Sequence, residues 1–320
     1  MISDNLTEAK RVLDSNNLVA IPTETVYGLA GNAYNVEAVE KIFALKKRPH
    51  YNPLIVHIAT ADQLNQVAKA IPEAALTLAL EFWPGPLTLV LKKQSIISDA
   101  VSSGKDTVAV RVPNHPLTLE LLKRLDYPLA APSANPFGSI SPTNAKHVRS
   151  YFENHLELIL DGGDCERGIE STIIGFENET PVLYRLGSLA LEQIEDKIGR
   201  VIVKNQNNDA SPASPGMLSR HYAPATTTYV TDEIEKLLKA QSDKKIGVLL
   251  FQHQLKTVVE HQEVLSTAGD LTEAAKNLYA ALHRLDSMKL DLIIAEKLPD
   301  TGLGKTLNDK LKRASKSANL

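Results

Sequence analysis

From its start to about residue 190, this chain alternates short apolar runs with segments whose apolar residues recur at helical spacing. Short apolar runs bounded by turn formers are typical of buried strands, and a spacing of three and four residues is typical of amphipathic helices. Leu6, Ala9 and Leu13 mark a first helix, with Ser3 or Asp4 as its predicted N-cap. The mixture of strands and interleaved helices predicts an α/β (α+β) domain built on a large mixed sheet.

Six apolar runs in this region are predicted strands, at residues 18–21, 53–58, 87–91, 107–112, 129–131 and 156–160. Two further runs, 171–176 and 181–186, are separated by a short polar stretch, which predicts a β-hairpin. A second amphipathic helix includes Val36 and Phe43, and another begins at Pro72, since proline is favoured in the first turn of a helix.

A change of composition divides the chain. Residues 205–216 are polar and rich in turn formers, which predicts a linker. Beyond it, strand-like runs at 246–251 and 290–295 flank a helical segment at 271–285, which predicts a small βαβ-type unit with parallel strands. The predicted organisation is a first domain (1–195), a linker (196–225) and a small C-terminal α/β domain (226–320).

Composition excludes several classes of protein. The 35 Lys and Arg against 38 Asp and Glu give a net charge of −3, which argues against a strongly cationic nucleic-acid binder. Cys165 is the single cysteine, so the chain can form neither an intrachain disulfide nor a multi-cysteine zinc site. With no signal-peptide pattern and no apolar stretch of membrane-spanning length, we expect a cytoplasmic protein without a membrane partner.

Polar residues follow the first predicted strand. Thr23, Glu24 and Thr25 come directly after residues 18–21, and strand ends in open α/β sheets are the usual ligand positions. A helix cap is the competing interpretation, because Thr23 could cap a helix and Glu24 would suit its first turn.

Cations stand at the ends of other predicted elements. Lys46 and Arg48 end the second helix, where cations are favoured by the helix dipole. Because the chain runs from them directly into a strand, their charges can also lie over one site and bind a polyphosphate. Arg111 lies within a β-branched strand, where a ligand carboxylate would be its counter-charge if it faced a cavity. Arg185 ends another strand.

Other motifs do not support familiar enzyme classes. Residues 302–306 end like a phosphate-binding loop, but Pro299 stands where that loop needs its first glycine. We find no nucleophile elbow, no zinc-protease pair and no clustered histidines, so no protein metal site is expected. The chain also lacks an evident acid–base dyad, a pattern that suits nucleotidyl transfer, which needs mainly positioning and charge neutralisation.

Six short motifs, in their order along residues 5–190, together resemble the YrdC-like family: residues 22–29, 46–49, 52–54, 83–88, 131–135 and 168–172. Further motifs resemble the two-domain form of the threonylcarbamoyl-AMP synthases: residues 214–217, 221–224, 302–304 and 311–314. The resemblance implies a YrdC-like twisted mixed sheet with helices, joined by a long linker to a small Rossmann-like α/β domain. It also implies that the linker folds over the ATP site as a lid.

The activity implied by the resemblance is nucleotidyl transfer. L-threonine, bicarbonate and ATP would give threonylcarbamoyl-AMP and pyrophosphate, with Mg²⁺ accompanying ATP and with no redox cofactor. The product would pass to a downstream tRNA threonylcarbamoyl transferase for N6-threonylcarbamoyladenosine modification of tRNA.

The resemblance also implies roles for residues that match the family motifs. Expected threonine contacts are Thr25, His57, Arg111, Ala131 and Ser171, with Arg111 on the substrate carboxylate. Expected ATP contacts are Lys46, Arg48, Asn52, Thr107, Ser133, Ser141, Arg185 and Tyr222. Of these, Lys46 and Arg48 are the expected catalytic cations, and with Arg185 they would neutralise the triphosphate.

Two other functions compete with this one. An RNA-binding module is one, because Lys146, His147 and Arg149 add cations to those at residues 46–48. The net charge and the absence of an aromatic-rich basic stripe argue against RNA as more than a weak partner. A carbamoyl-adenylate enzyme with another acceptor is the second, and the residues do not separate threonine from serine.

Overall fold

The computed structural model describes residues 1–204 and 221–316. Strands of the large sheet are β1 (Ile2–Ser3), β2 (Val19–Ile21), β3 (Gly28–Asn32), β4 (Ile55–His57), β5 (Ala68–Lys69), β6 (Leu87–Lys93), β7 (Thr107–Arg111), β8 (Leu129–Ala130), β9 (Leu158–Leu160), β10 (Thr172–Glu177), β11 (Thr180–Arg185) and β12 (Ile202–Val203). Helices beside it are α1 (Leu6–Asp14), α2 (Val36–Lys46), α3 (Leu64–Val67), α4 (Glu73–Phe82), α5 (Asp99–Ser102), α6 (Pro116–Arg124), α7 (Ala145–Phe152) and α8 (Leu191–Ile198). A short 3₁₀ helix spans Ala61–Gln63.

The large sheet mixes parallel and antiparallel pairs, as predicted. Its order is β1-β9-β2-β3-β8-β4-β7-β6-β10-β11-β12, with β5 paired to β6. At its centre β4 and β7 run parallel, so that His57 at the end of β4 lies opposite Arg111 at the end of β7. This register places both residues at one edge of the sheet.

The predicted hairpin is formed by β10 and β11. Asn178 and Glu179 in its turn have φ angles of 48° and 66°, the left-handed pair that a type I′ turn requires. Ile173 pairs with Arg185 across the hairpin. Ser171, which precedes β10, therefore lies close to the residue that ends β11.

Two expectations for the N-terminal region are wrong. Asn5, not Ser3 or Asp4, caps α1, because its Oδ1 accepts hydrogen bonds from the backbone N–H groups of the first turn at 3.0 and 3.1 Å. No helix follows Thr23 either. Its Oγ1 accepts hydrogen bonds from the N–H groups of Thr25 and Val26 at 3.1 and 3.2 Å, and the chain then enters β3. The helix-cap interpretation is thus wrong for this segment.

The second sheet is small and wholly parallel, as predicted. Its strands, in the order β13-β16-β14-β15, are β13 (Thr228–Thr231), β14 (Ile246–Leu250), β15 (His261–Val264) and β16 (Leu292–Glu296). Its helices are α9 (Ile234–Ala240), α10 (Leu271–Ser287) and α11 (Leu303–Ala314). Among residues 1–204 and 221–316, no helix has the length and apolar character that spanning a bilayer would need.

The predicted linker can be compared only in part. Residues 205–216 lie outside the described residues. The boundary predicted at residue 195 falls inside α8, and β12 pairs with β11, so residues up to 203 add to the large sheet. The predicted domain limits, 1–195, 196–225 and 226–320, stay a prediction.

The part of the chain that forms the small sheet and its helices, called the small unit below, packs directly against the part that forms the large sheet, called the first unit. Val26 and Ile169 from the first unit share a buried apolar cluster with Leu278 of α10 and Leu307 of α11. At the start of α11, the Thr306 hydroxyl donates a hydrogen bond to the Gly187 carbonyl at 3.2 Å. Residues 302–306, which end like a phosphate-binding loop, thus contact the end of the β10–β11 hairpin.

Candidate active site

A cavity opens where β4, β7 and the β10–β11 hairpin end. Most of the predicted site residues line it, namely Thr25, Arg48, His57, Arg111, Ala131, Ser133, Ser171, Arg185 and Tyr222. The residues come from distant parts of the sequence, and the sheet order brings them together. Lys46, Asn52, Thr107 and Ser141 are not among the lining residues.

Lys46 lies behind the cavity wall. It is the last residue of α2, its side chain is buried, and its ammonium donates hydrogen bonds to the carbonyl oxygens of Ser133 and Asn135. Burial, with a smaller effect of the neighbouring Arg48, holds the pKa of Lys46 well below its usual range. Lys46 therefore holds the 133–135 turn that carries Ser133 to the cavity.

Arg48 is the cation that faces the cavity beside Lys46. Its Nη2 donates hydrogen bonds to Asn52 Oδ1 at 2.7 Å and to the Pro53 carbonyl at 2.8 Å, and its Nε donates to the Asn52 carbonyl at 3.0 Å. Burial lowers the pKa of Arg48 to about 9. Asn52 thus orients the guanidinium from behind, instead of lining the cavity itself.

Arg185 lies on the same side of the cavity, close enough to Arg48 for its charge to lower the pKa of Arg48. Its Nε and Nη2 donate hydrogen bonds to the Ser171 carbonyl at 3.0 and 2.8 Å, and Nη2 also reaches the Ser171 hydroxyl at 2.9 Å. The Thr88 hydroxyl lies 2.8 Å from the same oxygen. Ser171 is therefore fixed in position by two neighbours from separate strands.

At the end of β7, the Arg111 guanidinium meets an internal carboxylate. Arg111 Nη2 lies 2.7 Å from Glu24 Oε1, and both side chains are buried. Neither of these two atoms has a hydrogen-bond partner among the described residues, so charge attraction holds the pair. Glu24 Oε2 is fixed separately, by a hydrogen bond from the Asn114 N–H at 3.0 Å.

His57 lies beside Arg111. Burial, followed by the charge of Arg111, lowers the pKa of His57 to about 3. Its imidazole is therefore neutral at pH 7. His57 Nδ1 is buried and has no hydrogen-bond partner among the described residues.

Tyr222 covers the side of the cavity that carries Arg48 and Arg185. Its ring centroid lies 4.2 Å from that of His221, which also lines the cavity, and its φ of 63° places it in the left-handed region. Both side chains are buried. His221 was not among the predicted site residues, although its motif was recognised.

Glu170 is a second residue that the sequence prediction missed. It lines the cavity next to Ser171, and its Oε1 accepts a hydrogen bond from the Ser141 hydroxyl at 2.6 Å. Ser141 therefore lies behind Glu170 and does not reach the cavity surface. The only sequence signal for Glu170 was its place in the 168–172 motif.

The structure does not bring Thr107 to the cavity. Thr107 begins β7, opposite Lys92, whereas Arg111 ends the same strand. A strand advances roughly 3.3 Å per residue, which separates the two by about 13 Å. Thr107 is therefore dropped from the candidate site.

The assembled site suits anionic ligands. Arg48, Arg111 and Arg185 place three guanidinium groups around one small cavity, between the hydroxyls of Thr25, Ser133 and Ser171. Guanidinium groups bind carboxylates and phosphates through paired hydrogen bonds. Arg111 ends β7 and Arg185 ends β11, three strands away in the sheet, whereas the charge of Arg185 acts on Arg48.

The chain matches family models and known proteins over most of its length. A family model described as "Telomere recombination" matches residues 11–187, and one described as "Threonylcarbamoyl-AMP synthase, C-terminal domain" matches residues 189–316. A protein of Pyrococcus abyssi named threonylcarbamoyl-AMP synthase is 43% identical, over 93% of this chain and 90% of its own length. A protein of Bacillus subtilis with the same name is 41% identical, over 97% and 92%.

A solved structure is also similar over nearly the whole chain. The crystal structure of P. abyssi Sua5 complexed with L-threonine has a TM-score of 0.92 and 40% identity to this chain. The match covers 98% of this chain and 97% of that one. Both the first and the small unit are therefore shared with that protein.

Proposed function

Because this chain belongs to the threonylcarbamoyl-AMP synthase family, we propose that its cavity makes threonylcarbamoyl-AMP from L-threonine, bicarbonate and ATP. The observation that supports the proposal is that three arginines line one cavity, with Arg111 three strands away from Arg185, whose charge acts on Arg48. We therefore assign Arg111 to one end of the cavity and the other two arginines to the opposite end. One end suits an amino-acid carboxylate and the other a polyphosphate. The enzyme is accordingly a nucleotidyltransferase.

The reaction needs two bond-forming steps. The threonine amine attacks carbon dioxide derived from bicarbonate, which forms an N–C bond and releases a proton. A carbamate oxygen then attacks the α-phosphorus of ATP, an O–P bond forms, and the bond between the α- and β-phosphates breaks as pyrophosphate leaves. Positioning and charge neutralisation can drive this chemistry without an acid–base dyad.

Threonine is assigned to the Arg111 end. The guanidinium would bind the substrate carboxylate while Glu24 holds it from the other side. Thr25 and Ala131 line the same cavity and would contact threonine from this end, while Ser171, which Arg185 holds, would contact it from the side that faces ATP. The neutral His57, whose Nδ1 has no partner among the described residues, adds a polar contact without a second positive charge.

ATP is assigned to the opposite end. Arg48 and Arg185 would neutralise the triphosphate, and Ser133 would contact the nucleotide from the turn that Lys46 holds. Lys46 acts through this turn, because its ammonium bonds the carbonyl oxygens of Ser133 and Asn135. Tyr222 would pack beside the nucleotide.

Mg²⁺ would enter as part of the substrate MgATP. No group of three or more His, Cys, Asp or Glu side chains among the described residues is placed to hold a metal ion. Mg²⁺ is usually bound through substrate phosphates with few protein ligands. Glu170 is a carboxylate that lines the cavity.

The product is a mixed anhydride that water hydrolyses. A tRNA threonylcarbamoyl transferase is therefore the class of enzyme that would take it, for N6-threonylcarbamoyladenosine modification of tRNA. The RNA-binding alternative is not favoured, because the cavity-lining residues are those expected for a small-molecule site.

Isotope incorporation tests this function directly. The purified protein is incubated with MgATP, L-threonine and ¹⁴C-bicarbonate, and the nucleotides are separated by chromatography. We expect label in a species with the mass of threonylcarbamoyl-AMP, and none when threonine is omitted. Label that appears without threonine, or in no nucleotide at all, would overturn the proposal.

A further inference from the structure

A carboxylate of the first unit is held by the small unit. Glu170 lines the cavity, and its Oε2 accepts a hydrogen bond from the Tyr279 hydroxyl of α10 at 2.9 Å. The ammonium of Lys310 in α11 lies 3.5 Å from the same oxygen. Since Oε1 accepts from Ser141, both oxygens of Glu170 are held.

The ammonium of Lys310 also contacts Tyr222. It lies 3.4 Å from the Tyr222 hydroxyl oxygen and 4.6 Å from the centroid of the ring, within the range of a cation–π interaction. The Lys310 side chain is 1% exposed, so solvent does not compete for these contacts. One cation of α11 thus touches two residues that line the cavity.

Joining the two units does not by itself require a buried cation. Leu307 and Leu311, on the same helix, are fully buried in the apolar cluster shared by the two units. Burying an ion pair costs much of what its Coulomb attraction returns, so apolar side chains would serve as well or better for cohesion. We therefore relate the position of Lys310, beside Tyr222 and Glu170, to the cavity that these two residues line.

We propose that Lys310 is a positioning residue for nucleotide binding, which holds Tyr222 and Glu170 in place beside Arg48 and Arg185. The inference rests on the proposed function, because that function assigns ATP to this end of the cavity. It gives the small unit a part in the site. Lys310 would reach the nucleotide only through Tyr222 and Glu170.

Because the Lys310 ammonium can lose its proton, the proposal predicts that ATP affinity depends on pH. Groups that face or lie near its ammonium are Glu170, Tyr222, His221, Arg185, Asp309 and Arg313. Burial lowers the pKa of Lys310 to about 8, with Glu170 acting in the opposite direction. ATP affinity should therefore fall as the pH rises from 7 to 9. In Lys310→Arg this fall should be smaller, because a guanidinium has a higher pKa than an ammonium in the same place. Any loss of charge at Arg48, whose pKa is about 9, is common to both proteins.

Calorimetric titration of the full chain with MgATP tests the proposal at pH 7. We expect Lys310→Met to weaken ATP binding at least tenfold while kcat at saturating ATP changes less than twofold. Lys305→Met is the matched control. It removes an exposed ion pair to Glu192 across the same interface, and its ATP affinity should stay within twofold of the wild type.

Two outcomes would overturn the proposal. One is an ATP affinity of Lys310→Met equal to that of Lys305→Met. The other is an equal fall in affinity from pH 7 to 9 in the wild type and in Lys310→Arg, a comparison that decides the question even if Lys310→Met fails to fold. Failure of the proposed function would be seen separately, as an absence of threonine-dependent turnover in the wild type.

Discussion

Arg111 Nη2 lies 2.7 Å from Glu24 Oε1, and both side chains are almost fully buried at the end of β7. The pair joins the polar segment after β2 to a strand that is remote in sequence. Arg111, which we expect to bind the substrate carboxylate, therefore already has Glu24 as an internal counter-charge. The buried positive charge of Arg111 is therefore balanced within the protein.

Removing Glu24 should destabilise the protein. Glu24→Gln leaves the buried Arg111 without its counter-charge, and breaking a buried pair in this way costs about 3–5 kcal/mol. Urea denaturation followed by circular dichroism measures the free energy of unfolding. Glu120→Gln is the control, since it breaks the exposed pair with Arg124, and it should change stability by less than about 1 kcal/mol. Equal effects of the two substitutions would contradict the buried-pair interpretation.

Lys46 should affect ATP affinity through the turn that it holds. Lys46→Met removes the hydrogen bonds to the carbonyls of Ser133 and Asn135, so Ser133 loses its fixed position. We expect at least a tenfold rise in the Kd for MgATP by calorimetry. Lys47→Met, at the exposed neighbouring position, should leave that Kd within twofold. An unchanged Kd in Lys46→Met would remove Lys46 from the nucleotide site.

Acid should destabilise the protein partly through His57. Its pKa is about 3 in the folded protein, below the usual 6.5, so the unfolded chain binds the extra proton between these values. The stability that this residue contributes is complete above pH 6.5 and is lost as the pH falls toward 3. The loss between pH 7 and 5 is on the order of 2 kcal/mol.

Thermal unfolding from pH 7 to 5 measures this effect. The melting temperature of His57→Asn should fall less steeply with pH than that of the wild type. His50→Asn is the control, because the His50 side chain is 69% exposed, and its slope should equal the wild-type slope. Parallel slopes for the wild type and His57→Asn would show that His57 is not the group responsible.

The sequence predicted much of the fold because its signals were local. The β10–β11 hairpin and the parallel small sheet followed from apolar runs and turn residues. β3 was missed because Gly28 and Gly31 resemble turn residues, whereas in the sheet their lack of a side chain allows close packing against Ala131 and Leu18. Such packing depends on residues distant in sequence, so no local pattern carries it.

The sequence also predicted many of the residues that line the cavity, and its errors concern residues whose position depends on packing. Residues that end strands, such as Arg111 and Arg185, do line the cavity. Asn52 and Ser141 were expected on its surface but lie one layer behind, where they hold Arg48 and Glu170. A motif identifies which residues belong together, but only the packing of side chains decides which of them faces the ligand.

The most direct test of the proposed function is pyrophosphate release from MgATP by the purified protein. Threonine and bicarbonate are each omitted in turn, and Arg111→Gln is measured beside the wild type. We predict release only when both are present. We also predict that Arg111→Gln releases no pyrophosphate in response to threonine, while its Kd for MgATP rises less than threefold. Release that is unaffected by omitting threonine, or a full threonine response in Arg111→Gln, would contradict the account.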